Sequence, residues 1–348
     1  MNILNVAYPL LPVGPDASGG AEQILSLIER GLLARGHRSV VIAAAGSEIA
    51  GELIESAVVR GEITEEVRQN AQQVHRECIQ RALKTYSIDL IHFHGLDFYS
   101  YLPEEDVPVL ATLHLPISFY PPEIFADRRV CLNCVSEMQA NSVPCRNKPP
   151  VVCNGIDTER FRRVSSKKEF LLMLTRICPE KGVHIALEIA HRLDVALIIA
   201  GPVHPFKDHE IYFSEQVRPK LDERRHYVGA AGSETKTRLL AEAQCLLIPS
   251  SVEETSSLVA MEAMSSGTPV IGLRSGALPE IIDHGETGFV VDSEAEMAEA
   301  VGRISEISPA KCRRTAQRRF DARRMVDEYI GLYRSVMEKV CSSSRGSV

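Results

Sequence analysis

Short apolar runs of strand length alternate with segments of helical period along this chain, and the whole pattern occurs twice. The first set covers residues 3–7, 39–44, 90–93, 107–113 and 130–135; the second covers 170–174, 195–200, 245–249, 270–272 and 289–291. Such unbroken apolar runs mark strands covered on both faces, as in parallel sheets. Between the first two runs, Ile24, Leu27, Ile28 and Leu32 recur at helical spacing, and Gly36 ends the helix. The pattern predicts two doubly wound α/β halves. The join falls at residues 148–168, where Pro149, Pro150, Asn154-Gly155 and a polar run interrupt both periods. The expected domains are therefore 1–155 and 156–322. A last helix at about 323–340 is followed by CSSSRGSV, whose small polar residues cannot build a core.

Composition sets the outer limits. A chain of 348 residues with 45% hydrophobic and 24% charged residues fills two cores, which excludes disorder and small disulfide-stapled scaffolds. Its formal charge of −7 argues against a phosphate-backbone binder, so nucleic acid is not an expected partner. The first residues lack a basic lead, and Pro9, Pro12 and Pro15 break their apolar run. No stretch approaches the roughly 20 apolar residues of a membrane span. A cytoplasmic location is expected. The basic stretch from Lys311 to Arg324 leaves two readings open, a solvated helix face or peripheral contact with anionic lipid on the inner membrane face.

Nine cysteines, an odd and scattered set, read mainly as small apolar residues. Cys131, Cys134, Cys145 and Cys153 superficially resemble zinc ligands, but residues i and i+3 of a strand point to opposite faces. His92 and His94 share a strand face, and His114 ends what reads as a neighbouring strand. No fourth ligand declares itself, so His92 is read as structural and His94 as a ligand-facing side chain; no metal is expected. Aromatic residues concentrate nearby, including Phe98, Tyr99, Tyr101, Phe119 and Tyr120. They serve either packing under two loops or an acceptor surface.

Three segments carry chemistry. The run from Gly14 through Gly19 and Gly20 follows the first strand and opens the first helix, a place that attracts anions; it is not the dinucleotide fingerprint. Arg176 ends a strand, and Lys181 lies five residues on, before an amphipathic helix. These are either two surface charges or a clamp for a diphosphate at the strand ends. Glu254 and Glu262 bracket the start of another helix, with Ser256, Ser257, Leu258 and Val259 at its N-terminus. Eight residues at helical rise span about 12 Å, too far for the carboxylate pair of a retaining glycosidase. The two carboxylates would hold separate ends of an extended ligand.

Taken together, Gly19-Gly20-Ala21-Glu22, Gly36-His37, Asn154-Gly155-Ile156-Asp157, Arg176 to Lys181-Gly182, Glu254 to Glu262 and SGALPEIIDHGETGFVV resemble the retaining family-4 glycosyltransferases. The resemblance covers nearly the whole chain and is strongest over residues 170–292. It implies a GT-B fold, two Rossmann-like domains facing across a cleft, with the acceptor in the first domain and the nucleotide sugar in the second. It also implies that the last helix packs back on the first domain.

The implied roles fall on particular residues. Arg176 and Lys181 match the pair that clamps and stabilises the leaving diphosphate. Glu262 matches the carboxylate that holds the ribose, and Glu254 the one that faces the donor sugar. Gly19 and Gly20 match the glycine loop, and His114 a histidine near the reacting centre. His94, Tyr99, Phe119 and Tyr120 become candidates for the acceptor surface. The family transfers without a metal or a protein nucleophile, so the expected reactant is a nucleotide sugar, most simply UDP-glucose, and the acceptor a small molecule, glycan or lipid-linked hydroxyl. One departure is notable: where the family commonly has Pro-Phe-Gly after the first glutamate, this chain reads Glu254-Thr255-Ser256-Ser257. A non-hydrolysing UDP-sugar epimerase and a non-catalytic nucleotide-sugar binder are the alternatives.

Overall fold

The computed structural model describes residues 1–345 except 57, 59–62, 146 and 162–165, with side chains to residue 339. It divides into two compact units, Met1–Gly155 with Ala322–Val348, and Ile156–Asp321. Part of the 148–168 join, residues 162–165, lies outside the described residues, as do the last three of the tail.

Unit 1 is a parallel sheet of β1 (Asn2–Val6), β2 (Arg38–Ala43), β3 (Glu52–Glu55), β4 (Leu90–Phe93), β5 (Val109–Leu113) and β6 (Val130–Cys134), in the order β3-β2-β1-β4-β5-β6. Unit 2 repeats this order with β7 (Phe170–Leu174), β8 (Ala196–Ala200), β9 (Arg225–Tyr227), β10 (Cys245–Ile248), β11 (Val270–Leu273) and β12 (Gly288–Val291), as β12-β11-β10-β7-β8-β9. Both sheets are doubly wound. The order reverses between β1 and β4 in one and between β7 and β10 in the other, and open sheets of this kind bind ligands beyond the strand ends at that point. Eight of the ten apolar runs became inner strands covered on both faces, with Leu171, Leu172, Leu246 and Ile271 wholly buried, and the other two became the apolar edge strands β6 and β12. The strands not foreseen, β3 and β9, are edge strands. Their sequences, ELIE and RHY, are short and polar, as edges exposed to water tend to be.

The helices, in chain order, are α1 (Gly20–Ala34), α2 (Glu65–Thr85), α3 (Glu137–Ser142), α4 (Val183–Arg192), α5 (Lys207–Tyr212), α6 (Ser233–Glu242), α7 (Leu258–Ser265), α8 (Leu278–Ile281), α9 (Glu294–Gly302), α10 (Pro309–Arg319) and α11 (Ala322–Arg345). Helix α1 buries Ile24, Leu25, Ile28 and Leu32 against the sheet. Helix α11 packs on α1 within unit 1: Arg35 bonds Asp327 at 2.6 Å, and Tyr329 and Tyr333 are wholly buried. It continues to Arg345, so the backbone of residues 341–345 is helical instead of an irregular tail.

The basic stretch does not form one helix face. It is divided by the break between α10 and α11, which places Lys311–Arg319 in unit 2 and Arg323 and Arg324 in unit 1. Arg313 donates to the carbonyls of Phe161 and Ser265, Arg319 pairs with Asp283 at 2.7 Å, and Arg324 donates to the carbonyls of Cys153 and Asn154. Several of these cations therefore stitch their own unit together. No helix among the described residues is long and apolar enough to cross a membrane.

Candidate active site

In unit 2 the strands on either side of the sheet's reversal deliver the charged residues. Strand β7 runs into Arg176, whose side chain is exposed and makes no hydrogen bond or ion pair among the described residues. A single turn, Pro179–Lys181, then carries Lys181 to Gly182, which caps α4 in the left-handed region at φ 68°. A side chain at 182 would be strained there, and its Cβ would lie 2.3 Å from the carbonyl oxygen of Pro249, just past β10. Only glycine lets the two loops close on each other. The Lys181 ammonium consequently meets the Glu254 carboxylate, Nζ to Oε1 2.5 Å, with both side chains largely covered. Gly276, at φ 53°, has the same function on the other side: a Cβ there would meet the Glu254 carbonyl oxygen at 2.3 Å, and Ala277 N–H donates to that oxygen at 2.6 Å.

Glu262 sits on α7 and is almost wholly buried. Its Oε1 accepts from Lys236 Nζ on α6 at 2.6 Å, and that ammonium also lies 5.6 Å from the centre of the Phe161 ring. Lys236 was not singled out in the sequence, where it stands in the polar stretch SETKTR with no motif around it. Ser257 is the N-cap of α7, yet its side chain makes no capping bond. The neighbouring Ser256 Oγ is buried with no hydrogen-bond partner among the described residues. Leu258 and Val259, half-buried, supply the first-turn N–H groups, which have no acceptor within a helix. Thus Lys181 and Glu254 are brought into contact, and Glu262 stands with Lys236 a short helix away.

In unit 1, β4 runs into His94 and β5 into His114, and the two rings meet, Nδ1 to Nε2 3.2 Å. His92 lies deeper, bonded through Nδ1 to the Tyr333 hydroxyl at 2.8 Å and through Nε2 to Thr112 Oγ1 at 2.7 Å. Thr112 Oγ1 donates on to Asn133 at 2.6 Å. Burial disfavours the protonated form of all three histidines; it holds His92 and His94 well below the usual range and His114 at about 4. They are neutral donors and acceptors at pH 7. The Tyr333 anchor comes from α11, far away in sequence, so no local pattern announced it.

The aromatic residues separate into two kinds. Tyr99 and Phe119 are exposed, 40% and 60% of their surface. Tyr120 is buried instead, and its hydroxyl accepts from the backbone N–H groups of His114 and Leu115 at 3.0 and 3.3 Å. It braces the histidine loop and offers no face to an acceptor, which corrects its placement on the acceptor surface. Phe98 and Tyr101 are core residues. Gly19 is the N-cap of α1, and Glu22 in the first turn is buried, its carboxyl pushed up by desolvation. An anion at Gly19 and Gly20 would share that turn with Glu22.

Two protein-family models match the chain: "Glycosyl transferases group 1" over residues 156–319 and "Glycosyltransferase Family 4" over residues 18–160. Among curated proteins, a D-inositol 3-phosphate glycosyltransferase of Corynebacterium efficiens is 34% identical over 151 residues, 40% of this chain and 35% of that protein. An MMP alpha-(1->4)-mannosyltransferase of Mycolicibacterium hassiacum is 32% identical over 173 residues, 47% of this chain and 41% of that protein. The chain thus spans well under half the length of these two relatives. Spore coat protein SA of Bacillus subtilis aligns over 96% of this chain and 99% of its own length at 21% identity. Among solved structures, sucrose-phosphate synthase from Thermosynechococcus elongatus superposes with a TM-score of 0.82 at 18% identity, covering 97% of this chain and 100% of that one. Anabaena HepE, solved with UDP and glucose, superposes with a TM-score of 0.74 at 18% identity, covering 96% and 100%.

Proposed function

Since the chain belongs to the GT-B glycosyltransferases of the family 4 type, we propose that it moves a hexose from a nucleotide sugar, glucose from UDP-glucose in the simplest form, onto an acceptor hydroxyl with retention at the anomeric carbon. The observation that carries this reading is the Lys181–Glu254 contact beside the exposed Arg176, at the point where the sheet of unit 2 reverses. A guanidinium and an ammonium there suit a diphosphate leaving group, whose charge grows as the glycosidic bond breaks. Lys181 is already held by a carboxylate, so its position is set before a donor arrives and little reorganisation accompanies reaction. Glu254 then faces the donor sugar, and Glu262, kept in place by Lys236, the ribose.

The acceptor hydroxyl attacks from the face the leaving group departs, and its proton passes to the departing phosphate oxygen, so neither a protein nucleophile nor a metal is assigned to the step. In unit 1, His114 is the candidate for contact with the reacting sugar. The contact with His94 couples the tautomers of the two rings, since one of the two facing nitrogens must donate. Tyr99 and Phe119 offer exposed rings to an acceptor. The UDP and glucose bound by Anabaena HepE support UDP-glucose as the first donor to try.

The test is thermal unfolding of the purified protein across nucleotides and nucleotide sugars without added metal, followed by NMR of the product made with the stabilising donor. A selective rise with UDP and one UDP-hexose, and an α-linked product from an α-donor, are expected. Stabilisation by a dinucleotide alone, or a new epimer of the sugar formed from donor alone, would replace this reading.

A further inference from the structure

The turn between β7 and α4 carries two more side chains that the transfer step does not use. Cys178 and Glu180 lie with His209 of α5, and one ligand atom from each falls within 4.8 Å of the others. The two parts of this cluster are about thirty positions apart in the chain and meet only through the fold of unit 2. Cys178 is buried, while Glu180 and His209 are partly exposed, so the cluster has a closed floor and an accessible mouth.

A second observation points to a ligand. His209 Nδ1 is buried and has no hydrogen-bond partner among the described residues, a state that native proteins rarely leave unrelieved. The Cys178 sulfur makes a long contact, 3.8 Å, with the Arg176 carbonyl and a side-chain hydrogen bond with Glu180, so two of the three groups already meet. The backbone under the cluster is held firmly: Ser251 N–H donates to the Glu180 carbonyl oxygen at 2.9 Å.

We propose that Cys178, Glu180 and His209 bind a zinc ion on unit 2, beside the turn that carries Arg176 and Lys181. Thiolate, imidazole and carboxylate together are a zinc donor set, since Mg²⁺ and Ca²⁺ take oxygen ligands. Tetrahedral bonds of about 2.0–2.3 Å place neighbouring ligand atoms about 3.4–3.8 Å apart, so side-chain adjustments of about an ångström close the site. Burial keeps the free Cys178 thiol protonated, so binding displaces its proton and turns the single negative charge of Glu180 into a neutral zinc–thiolate–carboxylate unit beside Arg176 and Lys181. Its other effect is mechanical. The ion ties the turn to α5 and stiffens the loop on which both cations stand, while the fourth coordination position is left to solvent. This site does not depend on which sugar or acceptor the chain uses.

The experiment is titration of the reduced, metal-free protein with Co²⁺ and then Zn²⁺. One equivalent of Co²⁺ should give a near-ultraviolet thiolate-to-metal band that Zn²⁺ abolishes. Cys178→Ser should remove the band, and His209→Ala should lower metal affinity at least about 10–100-fold. His209 lies on a partly exposed helix, so its variant keeps the test open if Cys178→Ser does not fold. Absence of a thiolate band, or a band that survives Cys178→Ser and is lost on replacing Cys131 and Cys134, overturns the proposal.

Discussion

The two units have the same strand order but end their central strands in opposite kinds of chemistry. In unit 1, β4 and β5 lead into His94 and His114, rings kept neutral by burial and linked through His92 to hydroxyl groups of Thr112 and Tyr333. In unit 2, β7 and β10 lead into Arg176 and Glu254, and the polar contacts are ion pairs, Lys181–Glu254 and Lys236–Glu262. The same scaffold therefore presents neutral hydrogen-bonding groups in one unit and fixed charges in the other. Fixed cations suit the charge of a diphosphate, while neutral imidazoles can face a sugar without attracting counter-ions.

The sharpest way to break this comparison is to neutralise the charge of unit 2. Lys181→Ala should reduce kcat/KM for transfer by about 10²–10³-fold, as removal of one transition-state donor does, with the fold retained by circular dichroism. An equal loss from Tyr99→Ala would mean that the chemistry is not centred on unit 2. Next in size, Lys236→Ala leaves the buried Glu262 without its ammonium and should destabilise unit 2 by about 2–3 kcal/mol, read as lost hydrogen-exchange protection in α6 and α7. Loss spread evenly over both units would contradict it.

Acid should act on the other unit. His75 and His114 are held at about 4 by burial, against about 6.5 in an unfolded chain. Between those values the unfolded state binds more protons, so stability falls as pH drops from about 6.5 to 4 and the effect is complete below that. Protection factors measured at pH 7 and pH 5 should fall more in β4 and β5 than in β7 and β10; the reverse order would refute the neutral-histidine description. The smallest effect is expected from Tyr333→Phe, which removes one hydroxyl from His92 and should cost about 1 kcal/mol, a fall of a few degrees in Tm for unit 1.

The inner strands and the edge strands β6 and β12 were legible because burial of their faces leaves a continuous apolar run. Edge strands β3 and β9 were not, since an edge needs only one partner and tolerates charges. Arg176 and Lys181 could be picked out because they flank a strand end and Gly182, and Glu254 and Glu262 because they bracket the start of a helix. Lys236 could not be, because its partner lies 26 positions away on another helix. Tyr120 was placed on the surface for its aromatic ring, and burial instead turned its hydroxyl toward two backbone N–H groups.

The sequence by itself determined the doubly wound class of each half and the charged residues that follow β7 and β10, since these depend on local period and spacing. The tertiary structure alone decided the partners. Lys181 meets Glu254 across 73 positions, His92 meets Tyr333 across 241, and Cys178 comes to His209. Polar side chains in a covered interior must find partners, and which ones they find depends on how the strands and helices are packed, a relation that no stretch of neighbouring residues contains.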